Sequence, residues 1–275
     1  MMKGLAAGSV PAAMAILWLM PLARGDDLAG RELDCLIEPS QVVKLGSPVQ
    51  GILDAVPVDR GDFVQKGQVI AQLESAIERS TVEIAQLRAS NDVALRSSET
   101  RVDYQRKQEN RTTELYRQKT ASQENYDKAT TERVLAEMAR EEAALERNLA
   151  ELELKRAQAA LERRTIRSPI KGVVTERALY AGEYVNEQSH IVTLAQIDPL
   201  HVEVFVPIEY YGQLHAGSTA EIAPIEPVGG RHKAAVTIVD PVMDAASGTF
   251  GVRLDLPNPD GAVPAGIKCR IRFEP

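Results

Sequence analysis

The side chains able to do chemistry are few, and their spacing argues against catalysis. His190, His201, His215 and His232 are the only histidines. None stands at metal-ligand spacing from another, and none has a nucleophile and an acid grouped with it. The carboxylates concentrate between residues 75 and 165, where a helical pattern makes a solvated charged face their ordinary explanation. No glycine-rich phosphate loop is present. The sequence therefore predicts no catalytic residue, no metal site and no cofactor. Two cysteines remain, Cys35 and Cys269, near opposite ends of the chain. In an oxidising compartment they would join the first and last strands; two unrelated buried thiols are the other reading.

The elements that position these residues follow from the rest of the chain. Its 275 residues are 44% hydrophobic and 26% charged, enough apolar material for one or two packed domains. A net charge of -7 and 4% aromatic content argue against a nucleic-acid partner, which needs cations for phosphates and rings for bases. Lys3 precedes an apolar run from Leu5 to Leu22, with small residues at Ala23 and Gly25 before Asp26-Asp27. This is the layout of a secretory signal peptide over residues 1–25, with an uncleaved anchor as the alternative. Leu33-Asp34 before Cys35 do not form a lipid-attachment signal. No later apolar run is long enough to span a bilayer, so an exported, soluble mature chain is expected.

Two segments repeat. Ser47-Pro48-Val49-Gln50-Gly51-Ile52, Gly61-Asp62-Phe63-Val64, Ile70 and Leu73 recur as Ser168-Pro169-Ile170-Lys171-Gly172-Val173, Gly182-Glu183-Tyr184-Val185, Ile191 and Leu194. Ser47 to Ser168, Gly61 to Gly182 and Leu73 to Leu194 are each 121 residues apart, so the repeat needs no gap. Val56 and Val58 keep strand period, and Asp59-Arg60-Gly61-Asp62 and Gln65-Lys66-Gly67-Gln68 are turn clusters. Each copy is a short meander that cannot bury its apolar face alone; two copies packed together can. Residues 26–74 and 166–198 are thus predicted to share one β-sandwich.

Between the copies, residues 75–165 contain neither proline nor glycine and are dense in Ala, Glu, Arg, Gln and Leu, all good helix formers. Leu135, Met138, Leu145, Leu149 and Leu152 read as an a/d seam with Glu142 at its vacant position, and Ile77, Ile84, Leu87, Leu95 and Val102 form a weaker stripe. Two helices with facing seams predict a two-stranded antiparallel coiled coil. A turn at residues 118–122 leaves arms of about 43 residues, roughly 65 Å each. Ser122 is placed to cap the second arm, with Glu124 in its first turn, and Thr120 with Gln123 is a competing capping box. Beyond Asp198-Pro199-Leu200, strands at 201–206, 236–241, 249–254 and 266–271 predict a small β-barrel over residues 199–275. The fold class is mixed α and β: a split barrel-sandwich hybrid, a long antiparallel α-helical coiled-coil hairpin and a β-barrel.

This combination resembles the periplasmic adaptor, or membrane-fusion, proteins of tripartite efflux pumps. Ser47 to Gly67 looks like the family's first half-lipoyl motif, and Arg167 to Val174 like the second. Ser247-Gly248-Thr249, Asn258-Pro259 and Pro264-Ala265-Gly266 are similar to its barrel signature. Adaptors of TolC-type outer-membrane channels carry Arg, Leu and Ser near the hairpin turn at the spacing of Arg111, Leu115 and Ser122, with Asp127 in the usual continuation. The resemblance implies that Arg111, Leu115 and Ser122 dock on such a channel. It further implies a homo-oligomer, taken as a hexamer, and a periplasmic location beside an inner-membrane transporter. The resistance–nodulation–division (RND) type is the first choice of transporter, and an ATP-driven exporter or secretion system the second. Pro275 follows the barrel directly, so a membrane-proximal domain of longer adaptors is expected to be absent or reduced to strands before Gly46. Asp26 to Gly46 holds neither methionine nor histidine, which favours small organic cargo over metal ions. Half-lipoyl repeats also resemble lipoyl and biotinyl carriers. Glu74-Ser75-Ala76-Ile77-Glu78, however, offers no lysine to modify, and a carrier needs a nucleophilic amine.

Overall fold

The computed structural model describes Leu28 and residues 30–274; the signal peptide expected over residues 1–25 lies outside these. In chain order the elements begin β1(Glu32–Gly46), β2(Gly51–Ala55), β3(Phe63–Val64) and β4(Val69–Leu73), followed by α1(Ala76–Ser90), α2(Val93–Arg117) and α3(Gln123–Glu162). They continue β5(Thr165–Arg167), β6(Gly172–Arg177), β7(Tyr184–Val185), β8(His190–Pro207), β9(Thr219–Pro224), β10(His232–Asp244), β11(Thr249–Leu256) and β12(Ile267–Phe273). The chain divides into two compact units: Ile37–His201 with Pro257–Gly266, and the remainder, which holds Val202–Leu256.

The first unit is built on a swap between the repeats. β2 pairs antiparallel with β7, Gly51 against Val185 and Ile52 against Tyr184. β3 pairs with β6, Phe63 against Val173 and Val64 against Gly172. A shift of one repeat length turns the first set of partners into the second. The flanking bonds obey the same rule: Leu53 N donates to Glu183 O at 2.9 Å and Gly182 N to Leu53 O at 2.7 Å, while Val174 N donates to Asp62 O at 2.9 Å and Gly61 N to Val174 O at 2.8 Å. Gly61 and Gly182 both take positive φ, 96° and 88°, a region open to glycine without strain. Each copy thus completes the other, and Leu53, Val64, Ile70, Leu73, Ile166, Val174, Val185, Ile191 and Leu194 fuse into one core. The contact is tight at Gly172, where a Cβ would sit 2.3 Å from the Ala195 carbonyl oxygen.

β4 also pairs with β5, Gln72 against Thr165. The residues that lead into α1 and out of α3 are therefore neighbours, and the insert must double back. Ion pairs of Arg88 with Glu153 at 3.7 Å, Arg106 with Glu137 at 3.0 Å and Arg133 with Glu109 at 2.8 Å run in opposite residue order, so α1 and α2 lie antiparallel to α3. The Glu137 carboxyl is held below the usual glutamate range by hydrogen bonds from Arg106 and Arg133.

Two expectations about these helices are corrected. The leucine seam does not join the arms: Leu135, Met138, Leu145, Leu149 and Leu152 are 51–61% exposed. In its place α3 turns a second heptad inward, with alanine at every seventh residue. Ala129, Ala136 and Ala157 are buried, and Ala143 and Ala150 half-buried, opposite Ala85 and Val102. Alanine stripes let helix axes approach closely, and the neighbouring Arg–Glu pairs hold the register. Nor is the first arm continuous. Asn91 leaves the helical region at ψ 102°, and its Oδ1 accepts from Val93 N at 3.2 Å, separating α1 from α2. Asn and Asp side chains that bond the nearby backbone compete with helical pairing in this way.

The second unit is an antiparallel set in which β10 pairs with both β11 and β9, and β12 with β9. Its core holds Val204, Tyr210, Ile222, Phe250, Leu254 and Ile271. The seam correction is testable: Ala136→Leu forces three carbons into the closest approach of the arms and should lower stability by about 1–3 kcal/mol. Urea unfolding followed by far-UV circular dichroism measures it.

Candidate functional site: the turn between the helical arms

α2 ends at Arg117 and the chain reverses over five residues. Lys119 takes φ 56°, the left-handed conformation usually left to glycine. Lys119 N then donates to Tyr116 O and Thr120 N to Leu115 O, both at 2.9 Å, which closes the open carbonyls of the last helical turn as a Schellman motif does. The Thr120 hydroxyl also donates to Leu115 O at 2.9 Å, so the competing Thr120 capping box does not form. Ser122 Oγ accepts from Asn125 N at 3.2 Å and caps α3. Across the turn the Tyr116 and Tyr126 rings stack with centroids 5.2 Å apart. Tyr116 Oη donates to Gln123 Oε1, and Gln123 Nε2 donates to Asp127 Oδ1 at 2.9 Å.

Leu115 and Ser122 are brought into this one turn, and Arg111 stands one helical turn before Leu115 on α2. All three are exposed, Leu115 at 48%. The arrangement offers a cation, an apolar knob and a hydroxyl at a helix end closed by these bonds. Arg can bridge carbonyls or a carboxylate, and the Ser122 hydroxyl that accepts from Asn125 keeps its own proton for an outward bond. The 40 residues of α3 carry the turn about 60 Å from β5. Sequence reasoning missed the Tyr116–Tyr126 clasp, for which two tyrosines flanking the turn were a usable signal. It also missed the left-handed Lys119, for which no signal existed.

In the other unit Cys35 and Cys269 are bonded to each other, with both residues buried. The bond ties β1 to β12 across a sequence separation of 234 residues, a staple with no reactive thiol left. Among the described residues no group of three or more His, Cys, Asp or Glu side chains is placed to hold a metal ion, and no helix is long and apolar enough to cross a membrane.

A barrel-sandwich hybrid whose halves flank a long helical insert, with a β-barrel after it, is the build of the membrane-fusion proteins of efflux pumps. The chain belongs to that family: the CzcB-like barrel-sandwich hybrid domain matches residues 41–196 and the CusB-like β-barrel domain residues 199–275. It is similar to the cation efflux system protein CzcB of Alcaligenes sp., 27% identical over 238 residues, covering 79% of this chain and 43% of that protein. It is also 26% identical over 239 residues to an uncharacterized protein of Haemophilus influenzae, covering 86% of this chain and 56% of the relative. The chain thus spans about half the length of these relatives. The crystal structure of MacA from Actinobacillus actinomycetemcomitans shares the fold, with a TM-score of 0.73 at 22% identity over 91% of this chain and 80% of that one.

Two substitutions test the construction of the turn. Lys119→Gly should raise stability by about 1 kcal/mol by relieving the left-handed residue, and Ser122→Ala should lower it by about 1 kcal/mol through the lost cap. Thermal unfolding of both variants beside the unsubstituted chain gives the sign.

Proposed function

We propose that the chain is a periplasmic adaptor that joins an inner-membrane transporter to a TolC-type outer-membrane channel. The observation that carries this reading is the exposed helix end that presents Arg111 and Leu115 on α2 and Ser122 at the start of α3, set about 60 Å along α3 from a barrel-sandwich hybrid. The two arms act as a coiled-coil hairpin whose turn docks on the channel. The sandwich and barrel face the transporter, RND-type as first choice, which supplies the energy that the adaptor lacks. Copies assemble around the transporter, six in this reading, and the helical arms extend the conduit towards the channel. The exposed seam of Leu135 to Leu152 supports self-assembly, because contiguous apolar patches of this kind mark interaction surfaces.

Small organic compounds are the proposed cargo. Likeness to a cation efflux system protein favours a second reading, in which the partner transporter exports cations. Growth of a deletion strain across a panel of dyes, detergents and metal salts separates the two. Leu115→Glu and Arg111→Asp should abolish export in that strain. Their side chains are exposed, so folding stability should change by no more than about 0.5 kcal/mol. Export at the unsubstituted level by both variants, with protein abundance matched, would show that the turn is not the docking surface.

A further inference from the structure

The helical arms meet the sandwich through two short links. Glu74 and Ser75 join β4 to α1, and Arg163 and Arg164 join α3 to β5. Short links of this kind are where a hinge absorbs its change of backbone angle. Backbone bonds from Leu73 N to Arg164 O at 2.8 Å and from Glu74 N to Ile52 O at 2.9 Å hold the links to the sandwich but do not reach the helices. Apolar packing does little to stiffen the junction. A recess of about 350 Å³ opens beside it, lined by Ile52 and Tyr184 of the sandwich and by Ile77 of α1. All three side chains are exposed, Ile77 at 79%. An arm free to turn about its links would lean into that space.

Arginines close the junction instead. Arg164 Nη2 donates to Glu78 Oε1 of α1 at 2.5 Å, and Arg164 Nη1 donates to Gln50 O at the entry to β2 at 3.2 Å. One guanidinium thus ties the end of α3, the start of α1 and the sandwich together. Arg163 Nη2 donates to Pro48 O at 3.1 Å, and Arg167 Nη1 to Gly67 O at 3.2 Å. The Arg164 and Glu78 side chains are only 24% and 19% exposed, so water and salt screen this pair far less than the open Arg88–Glu153 pair, at 67% and 60%. Glu78 stands in the first turn of α1 and Arg164 just beyond the last turn of α3, where the helix dipoles favour those charges. The repeat sets these arginines apart from the sandwich pattern. A shift of 121 residues carries Arg163, Arg164 and Arg167 onto Val42, Val43 and Gly46. The cations occur only in the copy to which the helices return.

We propose that Arg164 is a positioning residue that, with Glu78, fixes the direction in which the helical arms leave the sandwich. Reach makes direction matter. The 40 residues of α3 span about 60 Å, so a lean of about 10° moves the turn by about 10 Å, the width of a helix. Arg111, Leu115 and Ser122 would miss a fixed target by that distance. The bearing on docking rests on the adaptor reading above; the hold on the arms does not.

Pulsed electron spin resonance on the full exported chain, diluted into unlabelled copies, tests the latch. Cys35 and Cys269 are bonded to each other, so Lys66→Cys in a sandwich turn and Glu132→Cys on α3, both exposed, supply the only thiols for spin labels. The unsubstituted junction should give one narrow distance distribution. Arg164→Gln and Glu78→Gln should each widen it about twofold or more, and the two together no further, because both remove the same bond. Glu78→Gln keeps the arginine and its bond to Gln50, so the test survives a folding failure of Arg164→Gln. Arg88→Gln, which removes an exposed pair farther along the arms, should leave the width unchanged. A broad distribution in the unsubstituted chain overturns the proposal. So do distributions that stay narrow in both Arg164→Gln and Glu78→Gln. Export is a separate readout: loosened arms with normal export count against the docking reading and leave the latch standing.

Discussion

The pairing of the two repeat copies is the constraint from which the rest follows. Neither copy can bury its apolar face alone, and the bonds that close one half are made by residues of the other, Leu53 with Gly182 and Glu183, and Val174 with Gly61 and Asp62. Once β2 lies on β7 and β3 on β6, β4 and β5 are neighbours as well. About ninety residues must then leave and re-enter the sandwich at almost one place. A chain of strong helix formers with no proline or glycine has one economical way to do so, which is to run out, turn once and return.

The turn answers a second demand. Where two long helices reverse direction, the last carbonyls of the first and the first amides of the second lose their partners. Leu115 O collects bonds from the Thr120 amide and hydroxyl, and Ser122 serves the amides of α3. Leu115 and Ser122, two of the three residues proposed to meet another protein, thus also hold the helix ends, which fixes the geometry they present outward. Tyr116 against Tyr126 stiffens it further.

How much of this was legible in the sequence depended on whether a feature is local. The repeat was legible because a constant offset pairs residues one by one, and the structure uses that pairing as a swap. The position of the turn was legible from Ser122 and its polar neighbours. The helical interface was read in the wrong phase. α3 carries two heptads, and hydrophobicity points to leucine, but close approach of two helices selects the alanines Ala129, Ala136, Ala143, Ala150 and Ala157. The leucines are left for another surface. The break at Asn91-Asp92 was overlooked for a related reason. The absence of proline and glycine suggests continuity, while Ser90-Asn91-Asp92 supplies side chains that satisfy the backbone locally. Membership of the membrane-fusion family was legible from the half-lipoyl motifs, since these are the residues that make the swap.

Native-state amide hydrogen exchange on the full chain tests the swap most directly. The Leu53 and Val174 amides, which donate to Glu183 O and Asp62 O across the two halves, should be strongly protected and should exchange together, through one common opening of the sandwich. Rapid exchange at both amides, or rates that differ by orders of magnitude between them, would mean that the halves fold separately and that the insert is not held closed by their pairing.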